Sequence, residues 1–196
     1  MPSWLRFNTS EDPLTGIVAA AALSASLAVR VLQSVLEVAA RKHDSPRLRE
    51  LIGAAGGDAE RLVKLAEEDG ATYAAYMQAR RERSPEVQAA LRLAIDSPLN
   101  AARAAAGGID LCVEAAGFTR GAIAADVAGA AALLAGAVRA ILCTVDANLR
   151  AVEDEALAGA VAAERRLLEE HATGQAGKVL TAVKKASNPD WSVPPA

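Results

Sequence analysis

A chain of 196 residues is long enough for one domain with its own core. Hydrophobic residues make up 52% of it but aromatics only 3%, so alanine and leucine must fill the interior, which favours helices over strands. A net charge of −3 without a dense basic tract argues against a nucleic-acid partner, and two cysteines without a His/Cys cluster argue against a metal centre.

Residues 1–11 form a polar lead with no signal-peptide pattern. Asp12-Pro13 suits the start of a helix that runs to about His43. Its last turn, Arg41-Lys42-His43, matches the negative pole of the helix dipole and also offers a place for an anionic substrate tail. Ser45-Pro46 opens a second helix that continues to about Arg83. Gly53, Gly56, Gly57 and Gly70 each weaken it by about 1 kcal/mol relative to alanine, and they either allow close packing or break it near Gly56-Gly57. Within it Asp69, Tyr73 and Tyr76 fall at helical spacing, an acid beside two phenols. Ser84-Pro85-Glu86 opens a short helix over 87–95, and Ser97-Pro98 opens another that stops near Gly117. A central helix over Gly121–Arg150 and a last one over Glu153–Lys185 complete six. The tail, 187–196, holds three prolines and is expected to be extended.

The central helix is the most apolar, yet it carries polar groups. At about 100° per residue Asp126, Ala130, Leu133, Ala137, Thr144 and Asn148 share one face. Arg139 and Asp146 lie on the opposite side, near Cys143. Such groups need partners, because burying one unpaired costs roughly 1–3 kcal/mol. Internal salt bridges and the wall of a site both answer that need. The longest uncharged runs, Gly16–Val29 and Val127–Val138, fall short of the roughly 18 residues of a membrane span. Cys112 and Cys143, both inside helices, are expected to be free, buried thiols of a soluble, cytoplasmic protein.

Three segments in order carry a family likeness: LAEEDGATYAAYM (Leu65–Met77), QAALRLAIDSPL (Gln88–Leu99) and DVAGAAALLAGAVRAILCTVDANL (Asp126–Leu149). Together they resemble the formiminotetrahydrofolate cyclodeaminase and methenyltetrahydrofolate cyclohydrolase family. The resemblance implies a single all-α domain over 1–196, a bundle of about six helices. It implies a tetrahydrofolate derivative as substrate, no metal and a homodimer. Carried over residue by residue, it makes Asp126 and Asp69 the carboxylates for proton transfer. Gly16, Lys42, Tyr73, Gln88, Arg139, Thr144 and Asn148 become substrate-binding candidates. Departures are specific. The family's glycine-rich opening is reduced to Gly16, with Ile17 and Val18 in place of glycines; its basic run is reduced to Arg41-Lys42-His43; and Thr144 stands where an asparagine is expected. A member with altered or lost chemistry, binding a folate or another small molecule or serving as a partner subunit, is therefore the alternative.

Overall fold

The computed structural model describes residues 16–186, which form five α-helices: α1 (Ile17–Ala40), α2 (Pro46–Glu82), α3 (Val87–Ala115), α4 (Ala122–Leu149) and α5 (Glu155–Ala186). Short turns make α1–α4 an antiparallel ring. α1 packs on α2 and α4, α3 packs on the same two, and α1 meets α3 across the diagonal. α5 lies outside the ring, on α3 and α4. The faces left open are therefore those of α2–α3, α1–α2 and α1–α4.

Local chemistry sets the boundaries. Ser45 caps α2, its hydroxyl accepting from Leu48 N at 3.2 Å, and Pro46 sits where no donor is needed. α2 ends at Arg83, in the left-handed region at φ 52°. Gly121, at φ 62°, makes the turn into α4 that a side chain would resist. Asp154 Oδ1 accepts from Ala156 N and Leu157 N and so caps α5.

The core is built from small residues. Ala22, Ala25, Ala55, Ala59, Ala105 and Ala131 are fully buried and let the backbones come together around Leu32, Leu62, Leu99 and Leu134. Of the described glycines, Gly108 of α3 is the most tightly enclosed. A Cβ there would stand 3.0 Å from Val29 of α1 and 3.2 Å from Leu134 of α4. Ser26 is buried on α1 and donates to Ala59 O of α2 at 2.8 Å, a second close contact that a larger side chain would prevent.

One sequence expectation needs correction, and one open alternative is decided. The bundle has five helices, not about six, because α3 runs unbroken through Pro98, where a new helix was expected. A substitute hydrogen bond, from Asn148 to Ala94 O, takes the place of the one that Pro98 cannot make. Likewise α2 passes through Gly56-Gly57 without a break, since Ala55 and Ala59 on either side are buried against the ring. The expected opening at Asp12-Pro13 and the extended tail lie outside the described residues. α1 and α4, with mean hydropathies of 1.6 and 1.9, are long and apolar enough to cross a membrane. About half of each window is buried inside the bundle, as in the core helices of a packed domain.

Candidate functional site

Proline lacks the N–H that a helix residue donates to the carbonyl four positions earlier. For Pro98 that carbonyl is Ala94 O. It is taken instead by Asn148, whose Nδ2 reaches across from α4 and donates to it at 2.9 Å. Asn148 is buried there, as are Ser97 and Pro98. One residue before the proline, Ser97 Oγ donates to Asp69 Oδ1 on α2 at 3.2 Å. α2, α3 and α4 are thus joined by a line of polar contacts through the upper part of the ring. Parts of all three segments that carry the family likeness meet in it.

Asp69 is half-buried, and among the described residues it pairs with no cation. Burial pushes its carboxyl above the usual range for an aspartate, and the Ser97 hydroxyl only partly offsets this. Tyr73 follows Asp69 by one turn on α2, and Leu93 precedes Ser97 by one turn on α3. Because the two helices are antiparallel, these side chains fall on the same next turn. Both are large and apolar in body, yet 49% and 59% exposed. Helix spacing thus sets an exposed aromatic and an exposed aliphatic side chain one turn from the carboxylate. Tyr76, expected on the same face as Asp69 and Tyr73, is instead buried at 5% and belongs to the core.

Asp126 lies elsewhere. Roughly 33 Å of helix rise separates it from Asn148 along α4, and it is on the α1–α4 face, across the ring from the α2–α3 seam. It lines an open groove of about 410 Å³ with Ile123 and, from α1, Leu27, Arg30, Val31, Ser34, Val35 and Val38. Among the described residues Asp126 makes no hydrogen bond or ion pair. Arg30 pairs with Glu60 at 3.6 Å and donates to Gln33 Oε1 at 3.2 Å. A free carboxylate, a guanidinium and a hydroxyl between apolar walls make this the second candidate region. The two carboxylates, at opposite ends and on opposite faces, do not reach one small substrate within a subunit.

The remaining expected site residues are scattered. Gln88 pins the turn between α4 and α5, donating to Ala151 O at 3.2 Å and accepting from Glu153 N at 3.3 Å. Arg139 is exposed and donates to Thr173 Oγ1 of α5 at 3.1 Å. On the same flank of α4 Asp146 accepts from Arg165 at 3.0 Å, so the salt-bridge reading holds for that side of the helix. Thr144 is half-buried one turn before Asn148. Gly16 is the first residue before α1, in ordinary extended conformation with open space around it. Lys42 is exposed in the turn after α1. Cys112 is buried, its thiol pushed up to about 12 by burial, whereas Cys143 is exposed on α4 and not in the core as expected. Among the described residues no group of three or more His, Cys, Asp or Glu side chains is arranged to hold a metal ion.

Ser97, Arg30 and Ser34 are site residues that the sequence pattern does not single out. For Ser97 a signal existed: a proline inside an apolar helical pattern leaves one carbonyl free, and a buried amide elsewhere is the natural donor. For Arg30 and Ser34 none existed, because the groove depends on how α1 and α4 pair.

The family model for formiminotransferase-cyclodeaminase matches residues 4–167. Among solved structures, the fold matches the crystal structure of formiminotetrahydrofolate cyclodeaminase from Thermotoga maritima with a TM-score of 0.84. The match covers 89% of this chain and 90% of that one at 20% sequence identity. No curated protein sequence matches.

Proposed function

Since the chain belongs to the formiminotransferase-cyclodeaminase family, we propose that it acts on a one-carbon derivative of tetrahydrofolate. It hydrolyses methenyltetrahydrofolate to formyltetrahydrofolate, or closes formiminotetrahydrofolate with loss of ammonia. Both reactions pass through a tetrahedral carbon between two folate nitrogens. Hydrolysis needs a base that takes a proton from the attacking water and an acid that returns one to the departing ring nitrogen. Cyclodeamination needs a proton delivered to the leaving amine. A single carboxyl with a raised proton affinity serves each step.

The observation that carries this reading is Asp69: half-buried, paired with no cation among the described residues, hydrogen-bonded by one neutral hydroxyl and set one turn from Tyr73. Tyr73 and Leu93 offer a surface for a planar heterocycle. The test is loss of the near-ultraviolet absorbance of methenyltetrahydrofolate, or release of ammonia from the formimino compound, above the spontaneous rate. Turnover that vanishes in Asp69→Asn supports this site, and turnover unchanged in it removes Asp69 from the chemistry. Tight binding with no turnover in the unaltered protein supports the altered-member alternative.

The Asp126 groove favours a second reading, in which folate lies against α1 with Arg30 on its glutamate carboxylates. Asp126→Asn then abolishes turnover while Asp69→Asn does not.

The assembly proposed is a homodimer through the α1–α4 face. Along α1 the outward positions 17, 20, 24, 27, 31, 34 and 38 alternate steps of three and four, the spacing of a helix–helix seam. Ile17, Leu27, Val31 and Val38 on it are exposed. Beside it α4 shows Ala125, Gly129, Ala132 and Gly136, where a Cβ on either glycine meets open space. One face with both a ridge and a smooth bed suits a two-fold partner. Sedimentation of the intact protein as a dimer, and of Leu27→Glu as a monomer, is expected. A monomer at micromolar concentration overturns this.

A further inference from the structure

Asn148 entered as a substrate-binding candidate, and its geometry suggests a different task. Its amide donates to Ala94 O, the carbonyl that Pro98 leaves free. Between Ala94 and Pro98 lies the turn that carries Ser97, and Ser97 is the hydrogen-bond donor to Asp69. Asn148 and Ser97 are both buried, at 8% and 9%. A proline in mid-helix and a buried asparagine each cost stability alone. Here each compensates the other, and what lies between them is the hydroxyl on the carboxylate.

We infer that Asn148 is a positioning residue: by replacing the hydrogen bond that Pro98 cannot make, it fixes the 94–98 turn of α3 and so holds the Ser97 hydroxyl on Asp69. Ser97 is the group through which it acts, and Pro98 is the reason it is needed. Other charged groups stand near in the chain, Glu67 and Glu68 beside Asp69 on α2 and Asp96 beside Ser97 on α3, but among the described residues the only side-chain hydrogen bond of the Asp69 carboxyl is to Ser97. Among the described residues Ser97 is the one group that offsets the effect of burial on this carboxyl. The inference rests on the reading of Asp69 as the proton-transfer group for its importance, but not for its truth.

A double-mutant cycle separates the two. The Asp69 carboxyl is titrated by carbon NMR in the full chain, with Asp69→Asn assigning its signal. Ser97→Ala removes a hydrogen bond to the ionised form, so the Asp69 midpoint is expected to rise by about half a pH unit. Asn148→Ala is expected to move it in the same direction and to lower the melting temperature. Pro98→Ala restores an N–H for Ala94 O. In that background Asn148→Ala is expected to shift the Asp69 midpoint much less. If Asn148→Ala does not fold, Asn148→Ser in the two backgrounds gives the same contrast. An Asp69 midpoint unmoved by loss of the Asn148 amide, or moved equally with and without Pro98, overturns the inference. If the cycle behaves as expected but Asp69→Asn turns over folate normally, only the assignment of the reaction to Asp69 fails.

Discussion

The α2–α3 seam and the α1–α4 face are both open sides of one four-helix ring, yet they are built on opposite plans. The seam buries part of a carboxylate, gives it one hydroxyl and backs it with a buried amide from a third helix. The α1–α4 face leaves its carboxylate exposed in a groove walled mainly by leucine, valine and isoleucine, with Arg30 and Ser34 as its other polar groups. Proton transfer needs a group whose environment sets its pKa, and association needs apolar area with complementary shape. The difference teaches that the two carboxylates expected to share a substrate stand in unlike surroundings on opposite faces, which is the contrast the proposed roles rest on.

The sharpest way to break that division is to neutralise each carboxylate in turn. Asp69→Asn is expected to lower kcat by roughly 100-fold or more, the scale of losing a general acid–base group, with little effect on the dimer. Asp126→Asn is expected to leave kcat within a fewfold of the original. Steady-state rates on methenyltetrahydrofolate decide it, and the reverse pattern moves the chemistry to the groove.

Next in size is a change that strains both regions at once. Gly108 sits where α1, α3 and α4 meet, and a side chain there runs into Val29 and Leu134. Gly108→Val is expected to cost about 1–3 kcal/mol in denaturant unfolding by overpacking. Gly136→Ala, on the α4 face where nothing lies within 4 Å, is expected to leave the monomer's stability unchanged or slightly raised, since alanine suits a helix better. A weakened dimer in Gly136→Ala is then direct support for assembly on that face.

Much of this was legible in the sequence. Gly121–Arg150 was expected as one helix, and α4 runs from Ala122 to Leu149; proline-free and rich in alanine, it has one possible period. The α2 cap at Ser45-Pro46 was equally plain. The break that Ser97-Pro98 predicts is absent for a physical reason. Ser-Pro is a strong helix opener when judged locally, and what keeps α3 whole is Asn148, fifty positions further on by chain. The site was less legible for the same reason. Periodicity places Asp126 and Asn148 on one side of α4, but not the 33 Å of rise between them in relation to α2. It also places Asp69 and Tyr76 at helical spacing, whereas the ring buries Tyr76 and leaves Tyr73 outside.

A smaller effect separates the two candidate anion handles. Arg30 in the groove has only a 3.6 Å pairing with Glu60, both side chains well exposed, and such a pair contributes at most about 1 kcal/mol. Arg30→Ala is therefore expected to leave stability nearly unchanged. If folate lies in the groove, KM rises about fivefold to tenfold; if it lies on the α2–α3 seam, KM stays put.

The smallest expected effect sharpens what the Ser97 hydroxyl does for Asp69. Asp58 lies on the same flank of α2, three turns earlier, also half-buried, with its Oδ2 3.8 Å from where a Cβ on Gly107 would be. Burial raises its proton affinity as it does for Asp69, and nearby Arg61 offsets this in part, but no hydroxyl among the described residues donates to it. A carboxyl that binds its proton more tightly in the folded chain contributes stability that is complete below the unfolded pKa. That contribution is lost as pH rises through the folded value. Ionised Asp58 is therefore a burden at neutral pH. Asp58→Asn is expected to raise the melting temperature slightly at pH 7 and to lose that advantage at about pH 3, where both forms are uncharged. Asp69→Asn has the same sign, but the lost Ser97 hydrogen bond to the ionised form makes its gain smaller. Equal gains at both pH values would mean that packing, not charge burial, separates Asp58 from asparagine, and the contrast between the two aspartates would then say nothing about Ser97.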